Sequence, residues 1–182
     1  MKLSAAFLLI CLSSLAFAGK NDMDQEEMAN QILANSKGGP EISPLNWLNE
    51  NFLERQRKSV NNLTATHFGR RLLGDKRDIP LLQRIIDEGV IPTNKTMDLQ
   101  ALGVVLGDIF VKENNNLSWV IYKDDLGPTQ AVCVADTTNC LFPITMLSRR
   151  MEVGLKPSVE RVYAANLDEL KPFFPKTPYS TK

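Results

Sequence analysis

The stretch from Leu99 to Val111 constrains the fold of this chain more than any other segment. Its apolar residues fall on nearly every side of a helix, a pattern typical of a helix that other elements surround. Thr96 is the predicted N-cap of this helix, and Asp98 complements the helix dipole in its first turn. A helix enclosed in this way needs several packing partners, so the sequence predicts a domain organised around it.

Two glycines, Gly103 and Gly107, share one narrow face of that helix with Gln100. Glycine costs about 1 kcal/mol in a helix interior relative to alanine, so two on one face predict a neighbour packed at backbone distance. The same spacing of small residues also serves membrane helices. Because Asp108 and Lys112 interrupt the apolar surface, we favour packing inside a globular core.

Apolar residues at helical spacing predict four further helices. Ser43 is the predicted cap of the first, and Pro44 is its predicted first helical residue. The predicted ranges are Pro44 to about Phe68, Ile79 to Glu88, Pro143 to about Met151, and Val159 to Leu170 with Ser158 as its cap.

Between the central helix and the fourth predicted helix, the apolar pattern changes to alternation, which predicts strands. The predicted strands are Leu117–Tyr122, Gln130–Ala135 and Cys140–Phe142, with a turn over Lys123–Thr129. The expected fold class is therefore α+β: a helical first half with a buried central helix, a small antiparallel sheet of about three strands, and closing helices.

The first eighteen residues have the features of a secretory signal, with a basic start, an apolar stretch over Ala5–Leu12 and a predicted cleavage site after Ala18. Cys11 lacks the small preceding residue that lipid attachment requires, and no later apolar run has membrane-spanning length. We therefore expect a soluble, exported protein without a membrane anchor. The predicted organisation is signal peptide 1–18, leader helix and linker 19–42, one α+β domain 43–172 and an extended tail 173–182.

The charge balance and the cysteine count limit the classes of partner and of compartment. The chain holds 21 Lys and Arg against 21 Asp and Glu, which argues against nucleic acid as a partner recognised by bulk charge. Cys133 and Cys140 remain after cleavage, and a tight turn at Asp136–Thr137 would place them opposite each other on a hairpin. An even pair in an exported chain predicts a disulfide. A redox-active pair is the alternative, although such sites favour Cys-x-x-Cys at a helix start.

Several blocks of residues, taken in order, resemble a bacterial family of uncharacterised proteins, the domain of unknown function 3806. The resemblance extends over roughly Leu45–Tyr163. The blocks are Trp47-Leu48, Leu53-Glu54-Arg55-Gln56-Arg57, Leu81-Leu82-Gln83-Arg84, Leu99-Gln100-Ala101-Leu102-Gly103, Gly107-Asp108, Trp119-Val120, Asp125-Leu126-Gly127 and Leu141-Phe142-Pro143-Ile144-Thr145-Met146-Leu147-Ser148-Arg149-Arg150. This resemblance implies a Gram-negative source and a periplasmic location, and it implies no activity.

Candidate catalytic residues are few. His67 is the single histidine, so any Ser-His-Asp or Cys-His site must use it, and no serine-elbow motif is present. Asp124 and Asp125 are a candidate acid pair of the glycosidase kind, although adjacent acids beside Gly-Pro are typical of turns. We predict no cofactor and no metal site. A hydrolase that uses His67 or the acidic pair is the alternative function.

Asp108 is the most unusual charge, because it lies on an otherwise apolar helix. If it is buried it needs a cationic partner, and Arg84, Arg149 and Arg150 are the predicted candidates. A structural ion pair is the preferred interpretation, and an anchor in a binding site is the second. Arg149 and Arg150 are adjacent in a predicted helix, so only one of them is expected to face inward.

Trp119 is a candidate aromatic anchor for a protein partner, since it lies in a predicted hairpin with an open edge. Core packing of Trp119 is the competing interpretation. The predicted binding residues are thus Asp108, Trp119, Asp125 and Arg149. Because the sequence contains no catalytic constellation, it predicts a periplasmic, non-enzymatic protein-binding module of an accessory or immunity-like kind. It does not predict an oligomeric state.

Overall fold

The computed structural model of the protein describes residues 39–175. The predicted signal peptide, the leader as far as residue 38 and the tail from residue 176 lie outside the described residues. Within residues 39–175, no helix combines the length and the apolar character needed to cross a membrane. The elements are β1 Glu41–Pro44, α1 Trp47–Phe68, α2 Ile79–Asp87, α3 Thr96–Glu113, β2 Leu117–Asp124, β3 Gly127–Val134, β4 Cys140–Leu141, α4 Pro143–Glu152 and α5 Val159–Leu170.

Helix α3 forms the centre of the domain, as its apolar circumference predicts. From Leu99 to Phe110, every residue except Gln100 and Asp108 is buried. Helices α1 and α4 pack along it, α5 contacts it, and β2 and β3 lie against it. The α+β fold class is therefore confirmed, with the core built around this helix.

The two glycines of α3 mark its closest contacts. A Cβ atom added to Gly103 would lie 2.6 Å from the carbonyl oxygen of Ile144 in α4. A Cβ atom added to Gly107 would lie 2.7 Å from Cη2 of Trp119 in β2. Both distances are well below van der Waals contact, so the predicted close approach at this face is present at both positions.

The sheet has four antiparallel strands in the order β1-β2-β3-β4, one more than predicted. The additional strand is β1, in which Ser43 pairs with Ile121 and Pro44 with Val120. The predicted helix start at Ser43 and Pro44 is therefore wrong, and part of the predicted linker belongs to the sheet. Proline is tolerated because β1 is an edge strand.

Helix α1 begins at Trp47 instead, with Asn46 as its cap. The side chain of Asn46 accepts a hydrogen bond of 3.0 Å from the backbone N–H of Asn49. Asparagine caps a helix about as well as serine, so local preference does not separate the two starts. Pairing of the preceding residues with β2 decides between them. The predicted end of this helix at about Phe68 is confirmed, and Gly69 follows it with a φ of 63°.

Two other predicted boundaries are wrong. Thr96 is the first residue of α3 and Lys95 occupies the cap position, without a side-chain hydrogen bond to the helix. Phe173, the expected start of an extended tail, instead ends a short 3-10 helix over Lys171–Phe173. Phe174 then packs against the core, which holds the end of the described chain on the domain.

The β2–β3 hairpin is tighter than predicted. Asp124 pairs with Gly127, so the turn consists of Asp125 and Leu126 rather than of the seven residues expected. Asp124 Oδ1 accepts a 2.8 Å hydrogen bond from the backbone N–H of Leu126. Asparagine and aspartate stabilise turns in this way, which accounts for the extension of both strands.

Cys133 and Cys140 are joined in a disulfide, with Cα atoms 4.0 Å apart. They face each other across β3 and β4. The neighbouring residue Val134 donates its backbone N–H to the carbonyl of Asn139 at 3.0 Å. Because hydrogen-bonded and non-hydrogen-bonded pairs alternate in an antiparallel ladder, the two cysteines form a non-hydrogen-bonded pair, the kind with closer side chains.

Candidate binding surface

Asp108 lies at the centre of a polar cluster between α1, α3 and β2. Its carboxylate accepts two hydrogen bonds of 2.7 Å from Arg57, one from Nε and one from Nη2. Trp119 Nε1 donates a third hydrogen bond of 2.9 Å to Asp108 Oδ1. The hydrogen bonds to Asp108 raise the pKa of the Arg57 guanidinium, against the lowering effect of its burial. The bidentate geometry makes this a strong, oriented ion pair.

The predicted partners of Asp108 are therefore wrong. Arg84 forms an ion pair with Glu88, the residue that follows the end of α2, and lies over the ring of Phe68, 4.3 Å from its centroid. Arg149 and Arg150 are both exposed, so neither faces inward.

The sequence does contain a signal for Arg57. It lies four residues after Leu53 and three before Val60, and both of those residues are fully buried. Residues at these spacings share one face of a helix, so Arg57 faces the core although charged residues surround it in the chain. A comparison of the charged residues of α1 with the spacing of its apolar residues would have identified Arg57 as the one that faces the core.

Among the other predicted site residues, the structure brings Trp119 to Asp108 and leaves His67 and Asp125 apart from them. Trp119 is turned inward onto Gly107 and Asp108, which removes it as a free aromatic anchor. His67 is exposed at the end of α1, and Asp125 is exposed at the tip of the hairpin. Among residues 39–175, no three His, Cys, Asp or Glu side chains are grouped as metal ligands would be.

The sheet has an inner face toward the helices and an outer face. The inner face carries Trp119, which contacts α3, and Gln130, whose Nε2 donates to Asn49 Oδ1 of α1 at 2.6 Å. Side chains alternate between the two faces along a strand. With the strand register, this alternation assigns to the outer face Ile42, Pro44, Ser118, Val120, Tyr122, Asp124, Gly127, Thr129, Ala131, Cys133 and Cys140.

Asp124, at the tip of the hairpin, is the one charged residue among these positions, and the rest of the outer face is largely apolar. A sheet face that meets water normally carries polar residues at alternate positions. Here Tyr122 packs edge-on against Phe142, with ring centroids 5.2 Å apart, and Ala131 is fully buried. An open groove of about 1080 Å³ runs over this face, between β1 and the turn that joins β3 to β4.

A second, smaller groove of about 470 Å³ follows β4 and continues the outer face past Phe142. We call it the β4 groove. Val153 and Leu155 on its rim are 73% and 60% exposed, and Phe142 is 38% exposed. Its principal side chains are Phe142, Met146, Arg149, Arg150, Val153 and Leu155. Of the predicted binding residues, Arg149 lines this groove, Trp119 lines the larger groove, and Asp108 lines a third of about 360 Å³.

Comparison with known proteins supports the fold. A crystal structure at 1.50 Å resolution of a protein from Bacteroides thetaiotaomicron VPI-5482 is similar to this chain, with a TM-score of 0.65 and 16% sequence identity. The likeness covers 72% of this chain and 48% of that protein, so the chain spans about half the length of its structural relative. At this identity the similarity shows the fold alone. No curated protein matches the chain.

The family that the blocks of residues indicated is confirmed over the second half of the domain. The matched range begins at the buried Asp78 and includes α3, the sheet strands β2 to β4 and α4. Arg57 lies before it, whereas Asp108, Trp119 and the β4 groove residues up to Leu155 lie within it. The family model described as Domain of unknown function (DUF3806) matches residues 78–163 of this chain.

Proposed function

We propose that this is an exported, periplasmic protein without enzymatic activity, which binds another protein on the outer face of its sheet. The observation that carries the proposal is the largely apolar outer face, whose one charged residue, Asp124, lies at the tip of the hairpin. Such a face is stabilised by a second layer, and burial contributes about 25 cal/mol per Å² of apolar surface. The class of role that fits is an accessory or immunity-like module.

Two further features support export. The first eighteen residues have the pattern of a cleavable signal, and disulfides persist in oxidising compartments such as the periplasm. The disulfide also lies on the outer face, where it ties β4 to the rest of the sheet. A rigid sheet lowers the ordering cost when a partner binds.

The surroundings of the face indicate the chemistry of the partner. Arg149 and Arg150 border it beyond Phe142, so the partner would present an apolar surface flanked by acidic residues. Complementary charge at the rim of an interface increases the rate of association and favours the correct partner.

Substitution of Val120 by aspartate tests the proposal, because it places a charge at the centre of the outer face. The tagged mature protein would be used to capture partners from periplasmic extract, and the captured protein would be identified and titrated in purified form. We expect Val120→Asp to weaken its binding more than tenfold. The matched control is Ala164→Asp, which adds the same charge at an exposed position of α5 and should bind as the wild type does.

Equal binding by both variants would refute a role for the outer face. Mass spectrometry of the exported protein tests the location, and we expect an N-terminus at Gly19. An intact signal peptide, or retention in the cytoplasm, would refute the proposed export.

A further inference from the structure

The backbone of Cys140, which lines the β4 groove, has an N–H and a C=O that no other residue of the described range 39–175 uses. Cys140 forms a non-hydrogen-bonded pair with Cys133, so its N–H and C=O point away from β3. Within residues 39–175, no hydrogen bond to either group is seen. An edge strand with free backbone groups is a template on which another strand can form.

Two arginines lie beside this edge. Arg149 and Arg150 are exposed on α4, and no carboxylate of the described chain lies within 4.0 Å of either guanidinium. One donor of Arg150 is used by the carbonyl of Met146 on its own helix, and its other donors remain. Glu169 lines the far side of the groove, which leaves the groove with a net positive charge.

We infer that the β4 groove binds an extended, acidic segment of the partner protein, which adds to the sheet as a fifth strand beside β4. This inference rests on the proposed function and identifies where and how the partner is recognised. One residue of the segment exchanges two backbone hydrogen bonds with Cys140. Binding of this kind takes its affinity from the backbone and its specificity from alternate side chains.

The alternation of side chains along the added strand accounts for both the arginines and the apolar residues of the groove. Side chains of the added strand that point toward α4 meet Arg149 and Arg150, so carboxylates are favoured at those positions. Side chains that point outward lie beside Phe142 and continue the apolar outer face. The short β4, which pairs only with Val132 and Cys133, is thereby extended into a longer edge by the partner.

The test uses synthetic peptides and the mature protein. One probe is an acetylated hexapeptide of alternating valine and glutamate, and a second has lysine in place of glutamate. Two more copies of the glutamate peptide carry N-methyl groups on one or the other set of alternate residues, which removes the donors of one edge. Binding is followed by fluorescence anisotropy and by the amide NMR shift of Cys140.

We expect the glutamate peptide to bind, to shift the Cys140 amide, and to bind about tenfold more tightly than the lysine peptide. One of the two N-methylated peptides should lose binding. The variant Arg149→Glu with Arg150→Glu should reverse the preference for charge. The control variant Arg161→Glu, on an exposed part of α5 outside the groove, should retain the preference.

Three results would overturn the inference: no binding below about 1 mM peptide, equal binding of both charge types, or an unshifted Cys140 amide. These outcomes are distinguishable from failure of the proposed function. If a natural partner is captured and Val120→Asp abolishes its binding while the peptides fail, the outer face is the binding surface and the β4 groove is not. Thermal unfolding of each variant establishes that it is folded.

Discussion

Replacement of Gly103 by alanine is expected to destabilise the domain, although alanine is the better helix former. The added Cβ would lie 2.6 Å from the carbonyl oxygen of Ile144 and 2.7 Å from its carbonyl carbon, whereas ordinary contact begins at 3.4 Å. These are backbone atoms in the first turn of α4. Because the clashing atoms belong to the backbone, no side-chain rotation relieves the contact. Helix α4 must therefore move away from α3 by almost 1 Å, the difference between 2.6 Å and 3.4 Å.

The magnitude follows from two opposing effects. Overpacking of a core contact costs about 1–3 kcal/mol, and a clash with backbone belongs at the upper end of that range. Replacement of a helical glycine by alanine returns about 1 kcal/mol. The net loss in the free energy of unfolding is thus about 2 kcal/mol. For a domain of this size, this corresponds to a thermal midpoint lower by roughly 4–8 °C.

Far-UV circular dichroism during heating measures this midpoint. Gly39→Ala is the control, because a Cβ atom at Gly39 meets no atom within 4 Å, and its midpoint should not fall. Gly107→Leu should act in the same direction as Gly103→Ala, since it displaces the ring of Trp119. An unchanged or raised midpoint for Gly103→Ala would show that α3 and α4 are not in backbone contact, and the close packing of these two helices would be refuted.

Three further predictions follow from the polar contacts and the disulfide. Arg57→Ala leaves the carboxylate of Asp108 without its cationic partner in a half-buried site, and chemical denaturation should show that the free energy of unfolding falls by about 1–3 kcal/mol. An unchanged free energy of unfolding would mean that water replaces the hydrogen bonds of Arg57 at no cost. Replacement of Cys133 and Cys140 together by serine should lower the free energy of unfolding by about 2–3 kcal/mol, because the disulfide no longer restricts the unfolded chain. If this restriction is the cause, reduction of the wild-type disulfide should lower the free energy of unfolding by a similar amount. The hydrogen bonds from Arg77 lower the pKa of Asp75 to about 2. The contribution of this carboxylate to stability is therefore complete above the pKa that Asp75 has in the unfolded chain, and it is lost as the pH falls through about 2. An NMR titration should find this lowered pKa, and Arg77→Ala should return it toward the ordinary value.

Much of the fold could be predicted from the sequence because it depends on local patterns. The apolar circumference of α3 predicts burial whatever the neighbours are, and its two glycines predict close contacts. The disulfide follows from two cysteines close together in the chain around a turn, since such a turn brings its own flanks together. The ends of α1 and α5 also have local causes, since Gly69 follows α1 with a φ of 63° and Pro172 lies two residues after the end of α5.

The candidate binding surface could be predicted only in part. Arg149 can be identified from its charge, but nothing in its neighbourhood along the chain indicates that it borders a groove with Phe142. Trp119 can be identified as an aromatic side chain near an edge, yet its direction depends on the space that Gly107 leaves open. Concave surfaces form where separate elements meet, so a single segment does not reveal them.

Long-range pairing decided what the sequence left open. Strand β1 has only four residues and contains Pro44, so its own pattern favours a helix start, and it becomes a strand because β2, some eighty residues further on, offers it an edge. Asp108 had several arginines within plausible reach, and the packing of α1 on α3 selected Arg57, which lies fifty-one residues away. Periodicity and turn chemistry determine the local elements, whereas partners distant in the chain are chosen by the geometry with which those elements pack.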